Sequence, residues 1–367
     1  MNKNCLIYNY AQHYREGIFK LLDSELEFDS YFGDKMGDVK KMNYEKLLNF
    51  KKELKNIYLS GNIYYQRGAV RLLFKNYDNY ILLGEYYCLS NWGLLLLSKF
   101  TTKKIYLWTH GWYGNEGFLK KVVKKIFFKL SNGIFLYGDY AKNLMIKEGF
   151  NPNKLHVIFN SLNYTQQVKV RKKLKPSNIY KEYFKNENPV FIFIGRLTKV
   201  KKLNYIIEAQ EALRKNNIFV NNIFIGNGEE LSTLMLLAKG YNAVNSNWFY
   251  GASYSEKEIS DLVYNADLCL SPGNVGLTAI HSMMYGTPVL THNDFTKQMP
   301  EFEAILKGKT GDFFKKDDLT SMRIVLINWL ELHKDRDLIR INCFQRIDEY
   351  FNPNYQLNII LKVLYEK

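Results

Sequence analysis

The sequence has 367 residues, 47% of them hydrophobic and 24% charged, with a formal net charge of +15. That length suits two α/β domains that each bury a core, and the composition excludes an intrinsically disordered chain. No signal peptide opens the sequence and no apolar run approaches the roughly 18 residues of a membrane helix, so no spanning segment is expected.

The positive charge favours an anionic partner: nucleic acid, an anionic membrane surface or a phosphorylated ligand. A Lys-, Asn- and Ile-rich composition accounts for part of it. No helix-turn-helix, RRM or OB signature is present, so a nucleic-acid role would rest on charge alone. Cys5, Cys88, Cys269 and Cys343 are scattered, mostly in apolar runs and without metal-ligand spacing. They read as buried thiols of a reducing compartment.

In chain order, 5–8 reads as a strand and 11–22 as a helix, with Gln12, His13, Tyr14 and Arg15 at their junction. Further strands are expected at 28–32, 56–58, 80–83 and 105–108, and helices at 44–54, 64–74 and 89–100. Such alternation implies a parallel sheet covered on both faces. Glu85 and His110 each follow a strand directly, at the carboxyl edge where ligands of parallel sheets bind. His110 and Glu85 are therefore candidates for contacting a bound ligand; each also reads as an ordinary loop residue.

The stretch 118–130 places Phe118, Leu119, Val122, Val123, Ile126, Phe127, Phe128 and Leu130 against Lys120, Lys121, Lys124, Lys125 and Lys129. It is an amphipathic helix whose polar face is wholly cationic. One reading is a core helix with solvated lysines. The other is an interfacial helix, each lysine contributing about 1 kcal/mol at an anionic surface.

A strand at 133–137 and a helix at 141–148 follow, and 155–159 ends at Asn160-Ser161. Residues 166–187 are polar and basic with little apolar periodicity, which reads as a linker holding at most one short helix. Next comes an apolar strand ending in Gly195-Arg196, with Lys201 in the basic loop beyond. Gly226-Asn227-Gly228 repeats that design. The stretch 268–293 reads strand, tight loop, helix, strand. Its loop offers the amides of Val275, Gly276, Leu277 and Thr278 at a helix start, a setting that favours phosphate.

Taken together these pieces resemble the family 4 retaining glycosyltransferases of GT-B fold. The resemblance lies in Gly195-Arg196-Leu197 with Lys201, Gly226-Asn227-Gly228-Glu229, Ala266-Asp267 to Ser271-Pro272, Gly276-Leu277, Tyr285-Gly286-Thr287-Pro288-Val289, Pro300-Glu301-Phe302-Glu303 and Gly308-Lys309-Thr310-Gly311. It implies two Rossmann-like α/β domains facing a cleft: 1–165 for the acceptor, a linker at 166–187, 188–348 for the nucleotide sugar, and a helix at 349–367 crossing back to the first domain. The family's Glu-x7-Glu pair falls on Gly273 and His281, so both carboxylates are replaced.

The resemblance further implies transfer from a nucleotide sugar, UDP-linked before GDP-linked, to a lipid-linked bacterial surface glycan. Arg196 and Lys201 would stabilise the leaving diphosphate, with His110 near the reacting centre. Gly195, Gly226, Asn227, Asn274, Val275, Gly276, Leu277, Thr278, His281, Glu301 and Glu303 would bind the donor, Asp294 being a further possibility. His13, Tyr14, Arg15 and Glu85 would lie on the acceptor side. Phe118, Lys120, Lys121, Lys124, Lys125 and Phe127 would meet the inner face of the cytoplasmic membrane. No metal or other cofactor is expected, since no Asp-x-Asp falls at a strand end; Asp335-Arg336-Asp337 follows a helical stretch. The competing reading is a non-catalytic binding or regulatory protein of the same fold, motivated by the two lost carboxylates.

Overall fold

The computed structural model describes residues 3–37 and 39–365. The chain forms two compact units, one of residues up to Tyr164 together with those from Asn352 on, the other Thr165–Phe351. In the first unit the strands are β1 (Asn4–Tyr8), β2 (Phe28–Gly33), β3 (Phe50–Leu54), β4 (Asn56–Ser60), β5 (Ile63–Gln66), β6 (Asn79–Leu83), β7 (Lys104–Thr109), β8 (Gly133–Leu136) and β9 (Leu155–Val157). Seven of them make a parallel sheet in the order β3-β2-β1-β6-β7-β8-β9, while β4 and β5 pair as an antiparallel hairpin.

Period-two alternation sorts the strand side chains onto two buried faces. Cys5, Ile7, Tyr80, Leu82, Ile105, Leu107, Ile134 and Leu136 join one core cluster. That cluster also holds Leu94 and Leu95 of α2 (Leu89–Ser98), Phe127 and Phe128 of α3 (Phe118–Lys129) and Met145 of α4 (Asp139–Lys147). Leu6, Tyr8, Ile81, Tyr106, Trp108, Phe135 and Tyr137 face the other way, onto α1 (Glu16–Leu26) and α13 (Pro353–Tyr365). Ile360 and Leu364 of α13 are part of that second core, so the C-terminal helix belongs to the first unit.

Two helices expected from the sequence are absent. Residues 44–54 form a single 3-10 turn at Tyr44–Lys46 and then edge strand β3. Residues 56–66 form the hairpin, turning at Gly61 with φ +53°, and only Val70–Phe74 is helical, as a 3-10 segment. Ile57, Tyr58, Ile63, Tyr64 and Tyr65 are β-branched or aromatic, and pairing across the turn overrides the helix-like apolar spacing.

The second unit opens with α5 (Tyr164–Arg171) and α6 (Ile179–Phe184), where one short helix at most was expected. Tyr180 and Phe184 are buried and Tyr183 stacks on Trp248 at 3.8 Å, which fixes α6 to its unit. Its sheet is parallel, ordered β12-β11-β10-β13-β14-β15, from β10 (Val190–Ile194), β11 (Asn221–Ile225), β12 (Asn247–Gly251), β13 (Leu268–Ser271), β14 (Val289–His292) and β15 (Gly311–Phe314). Helices α7 (Asn204–Arg214), α8 (Leu231–Gly240), α9 (Glu256–Asn265), α10 (Thr278–Met284), α11 (Leu319–Leu332) and α12 (Arg336–Glu349) complete the unit.

Candidate functional site

In the second unit, β10, β11 and β13 end beside one another, and their following loops pack backbone on backbone. A Cβ at position 226 would lie 1.9 Å from the Gly195 carbonyl oxygen, and one at 228 would lie 2.3 Å from that of Leu197. Only glycine permits this approach. The Leu197 amide donates to the Asn227 carbonyl at 2.9 Å, locking the two loops.

Lys201 reaches from a 3-10 turn and donates to the carbonyl and to Oδ1 of Asn274, at 2.6 and 2.8 Å. Burial pushes its ammonium down to about 8; Glu301 opposes that shift and exposed Arg196 adds to it. A Cβ on Gly276 would lie 3.9 Å from Lys201 Nζ, and one on Gly195 would lie 3.7 Å from Thr278 Oγ1. Lys201, Asn274 and Gly276 therefore meet in one small region within the unit, with Arg196 and buried Glu301 near enough to act on the Lys201 charge, a setting able to hold an anion.

The helix start there is less open than the sequence suggested. The Val275 amide donates to Gln298 Oε1 at 2.8 Å, so it is not free for a phosphate. The Thr278 hydroxyl donates to the Ile194 carbonyl at 2.9 Å, which joins β10 to α10. Glu303 follows Glu301 on the 3-10 segment Pro300–Ala304 and is half-buried.

Both positions of the missing carboxylate pair have a physical explanation. A Cβ on Gly273 would lie 2.0 Å from the Val200 carbonyl oxygen and 2.7 Å from Lys201 Cα. The turn carrying Lys201 occupies the space a side chain would need, and the Gly273 amide bonds the Lys201 carbonyl at 2.9 Å. His281 Nε2 lies 2.9 Å from Glu256 Oε1, and Glu256 also accepts from the Tyr285 hydroxyl and from Gln167 Nε2. Burial raises the Glu256 carboxyl, but the bond from His281, with those from Tyr285 and Gln167, outweighs it and holds the group at about 2. A carboxylate thus stands beside position 281, supplied by α9. Nothing in the sequence pointed to Glu256, because it lies outside the motif and meets His281 only through the fold.

In the first unit, β1, β6 and β7 are sheet neighbours, and their carboxyl ends deliver Asn9, Glu85 and His110 to one cavity of about 190 Å³. Gln12, Tyr14, Arg15 and Tyr137 also line it. The Arg15 guanidinium sits over the rings of Tyr137, Tyr8 and Trp108, at 5.1, 5.7 and 5.7 Å. Glu85 accepts from Asn9 Nδ2 at 3.2 Å and from the Tyr64 hydroxyl of the hairpin. Burial raises its carboxyl against the hydrogen bonds from Tyr64 and Tyr87.

Burial lowers His110 to about 4, with the Arg15 and Lys124 charges adding, so its imidazole is neutral at physiological pH. Asn9 Oδ1, Gln12 Oε1 and His110 Nδ1 are buried and have no hydrogen-bond partner among the described residues. His13 is exposed, its Nδ1 near the Lys40 carbonyl, and does not line the cavity. Sequence reasoning missed Asn9 and Tyr64. Asn9 carries the same signal as Glu85 and His110, directly after a strand; Tyr64 was hidden by the mistaken helix.

The cationic helix α3 is also corrected. Lys124 and Phe127 are buried, so neither belongs to an outer face, and Lys121 pairs with Glu148 at 2.8 Å. Phe118 and Leu119 are 80% and 79% exposed, with Val122, Val123 and Ile126 also exposed. Lys120 and Lys129 are exposed and Lys125 is half-buried. No helix among the described residues is long and apolar enough to cross a membrane. Nor do the described residues hold a group of three or more His, Cys, Asp or Glu placed for a metal ion.

Residues 175–343 match the family described as glycosyl transferases group 1. An uncharacterized 41.2 kDa protein in the cps region of Klebsiella pneumoniae is 23% identical over 201 residues, 53% of this chain and 51% of that protein. The chain thus spans about half the length of that curated relative. Among solved structures, HepE of Anabaena in complex with UDP superposes with a TM-score of 0.73 at 14% identity, covering 100% of both chains. Apo WaaB, a lipopolysaccharide outer core galactosyltransferase, gives 0.72 at 13% identity over 100% of both. With two parallel sheets of seven and six strands, the chain has the GT-B fold, and the stretch similar to the glycosyl transferases group 1 family lies within its second unit.

Proposed function

We propose that the chain is a metal-independent, retaining glycosyltransferase. It moves a sugar from a nucleotide sugar, UDP-linked before GDP-linked, to a lipid-linked acceptor in bacterial surface-glycan assembly. The observation that carries this is the first unit's cavity. Asn9 Oδ1 and Gln12 Oε1 are acceptors left without donors, His110 Nδ1 is a third polar atom without a partner, and tyrosine rings line the cavity. Buried acceptors are costly unless a ligand supplies hydrogens, and a polyhydroxylated ring does so while stacking on aromatic faces.

The second unit would take the donor, its diphosphate meeting Lys201 beside Gly276 and Arg196, whose charge acts on Lys201. UDP bound to HepE, a protein of the same fold, supports a uridine donor. In the proposed transfer the bond from the anomeric carbon to the diphosphate breaks and one to an acceptor oxygen forms on the same face. The acceptor proton passes to the leaving phosphate. Arg196 and Lys201 offset the developing charge, a task a divalent ion performs elsewhere. Exposed Phe118 and Leu119, flanked by Lys120 and Lys125, would seat the first unit on an anionic membrane face, where a lipid-linked acceptor resides.

A non-catalytic binding protein is the second reading, favoured by the filled space at Gly273 and the pairing of His281 with Glu256. A thermal-shift panel of UDP-, GDP- and CMP-sugars tests the donor half, since a ligand at 100 times its Kd stabilises by about 2.7 kcal/mol. A UDP-sugar should raise the melting temperature most. No response to any of them would overturn the proposal.

A further inference from the structure

Lys124 stands in a row of lysines, yet its surroundings are unlike theirs. It is 3% exposed, and its Nζ donates to the Gly111 carbonyl and to Glu116 Oε1, each at 2.7 Å. Glu116, whose side chain is fully buried, accepts in turn from the amides of Tyr113 and Gly114 at 2.8 and 2.9 Å. The rings of Trp112, Tyr113 and Phe128 lie 4.8, 5.5 and 5.9 Å from the ammonium. The turn from His110 to Glu116 therefore folds around a single captive cation.

Fold stability alone does not explain such a pair, because well-packed apolar residues of similar volume stabilise a core at least as well. What the pair specifies is shape. It aims one carbonyl and two amides inward, and it holds Gly111 at φ +69°, where a Cβ would lie 2.6 Å from Leu136. The residue that opens this turn is His110.

We propose that Lys124 and Glu116 are positioning residues: their buried pair fixes the turn 110–116 so that His110 presents Nδ1 to the first unit's cavity. That the cavity takes an acceptor rests on the proposed function. The positioning does not, and it can be read without any substrate.

The test is a titration of the full chain labelled with 13C-histidine, the His110 signal being identified by its loss in His110→Asn. The groups facing His110 are Arg15, Lys124, Tyr113 of the turn and Tyr137 just after β8. The wild-type midpoint should lie near 4. Glu116→Gln decides the matter: losing a negative charge would by itself lower the midpoint, whereas releasing the turn into solvent raises it. A rise of about one unit or more is expected there and in Lys124→Met/Glu116→Gln. Lys124→Arg should keep the wild-type value. A merely structural pair would lower the melting temperature without moving His110. An unchanged or lowered midpoint in folded Glu116→Gln would overturn the proposal. So would rapid hydrogen exchange of the Tyr113 and Gly114 amides in the wild type, a measurement that needs no variant to fold.

Discussion

Lys201 is the residue whose chemistry is most exposed to test. Because burial holds it at about 8, it loses its charge where an ordinary lysine keeps it. A phosphate prefers the ammonium, so UDP affinity should fall as pH rises from 7 through 9, and Lys201→Arg should flatten that dependence. Calorimetric titration with UDP across that range checks it; a flat wild-type profile would separate Lys201 from the phosphate. Arg196→Ala and Lys201→Ala should each slow transfer by about 10²-fold or more, the effect of removing about 3–4 kcal/mol of transition-state stabilisation. His281 makes a different prediction. His281→Glu would set a second carboxylate against Glu256, lowering stability by about 1–3 kcal/mol rather than restoring a lost site. Thermal melts decide it, with His281→Gln as the near-neutral control. Of these contacts the sequence showed the cations and glycines, because phosphate chemistry restricts which residues can serve. It could not show that Gln298 takes the Val275 amide or that Glu256 reaches His281, since both depend on segments distant in the chain.

At the level of elements, strands were legible where apolar runs are short and bounded by turns, as in β1, β6, β7 and β10. They were not legible at the sheet edge. β3 carries Lys51, Lys52 and Glu53 and has little apolar alternation; outside that sheet β4 was expected at 56–58, but its hairpin partner β5 hid behind spacing that also fits a helix. Helix α3 shows the same limit: its lysines look equivalent in sequence, but Lys124 turns inward and Lys121 pairs with Glu148. Only the outer row can meet a membrane. Replacing Lys120, Lys125 and Lys129 by Gln, with Phe118→Ser and Leu119→Ser, should abolish sedimentation with anionic vesicles. The melting temperature should stay within a degree or two, since these side chains are largely solvent-facing. Wild-type binding should also weaken as salt shortens the Debye length to about 8 Å at 0.15 M. Equal, negligible sedimentation with neutral and anionic vesicles would remove the membrane from the proposed function.

For the molecule as a whole, each unit presents its candidate binding residues on loops at the carboxyl edge of its own parallel sheet, where doubly wound sheets bind ligands. In the proposed function the unpartnered polar atoms and aromatic rings of the first unit would meet hydroxyl groups, and the cations of the second would meet a diphosphate. This division of chemistry is what a transfer between two substrates requires, and it leads to one decisive measurement. The full chain is incubated with a UDP-sugar and a lipid-linked oligosaccharide fraction, and the reaction is followed by proton and phosphorus NMR. UDP should appear in step with loss of the donor, chelator should leave the rate unchanged, and the new anomeric proton should keep the donor's configuration. UDP binding without release of UDP from the sugar in the presence of acceptor, or a product of inverted configuration, would contradict a retaining transferase.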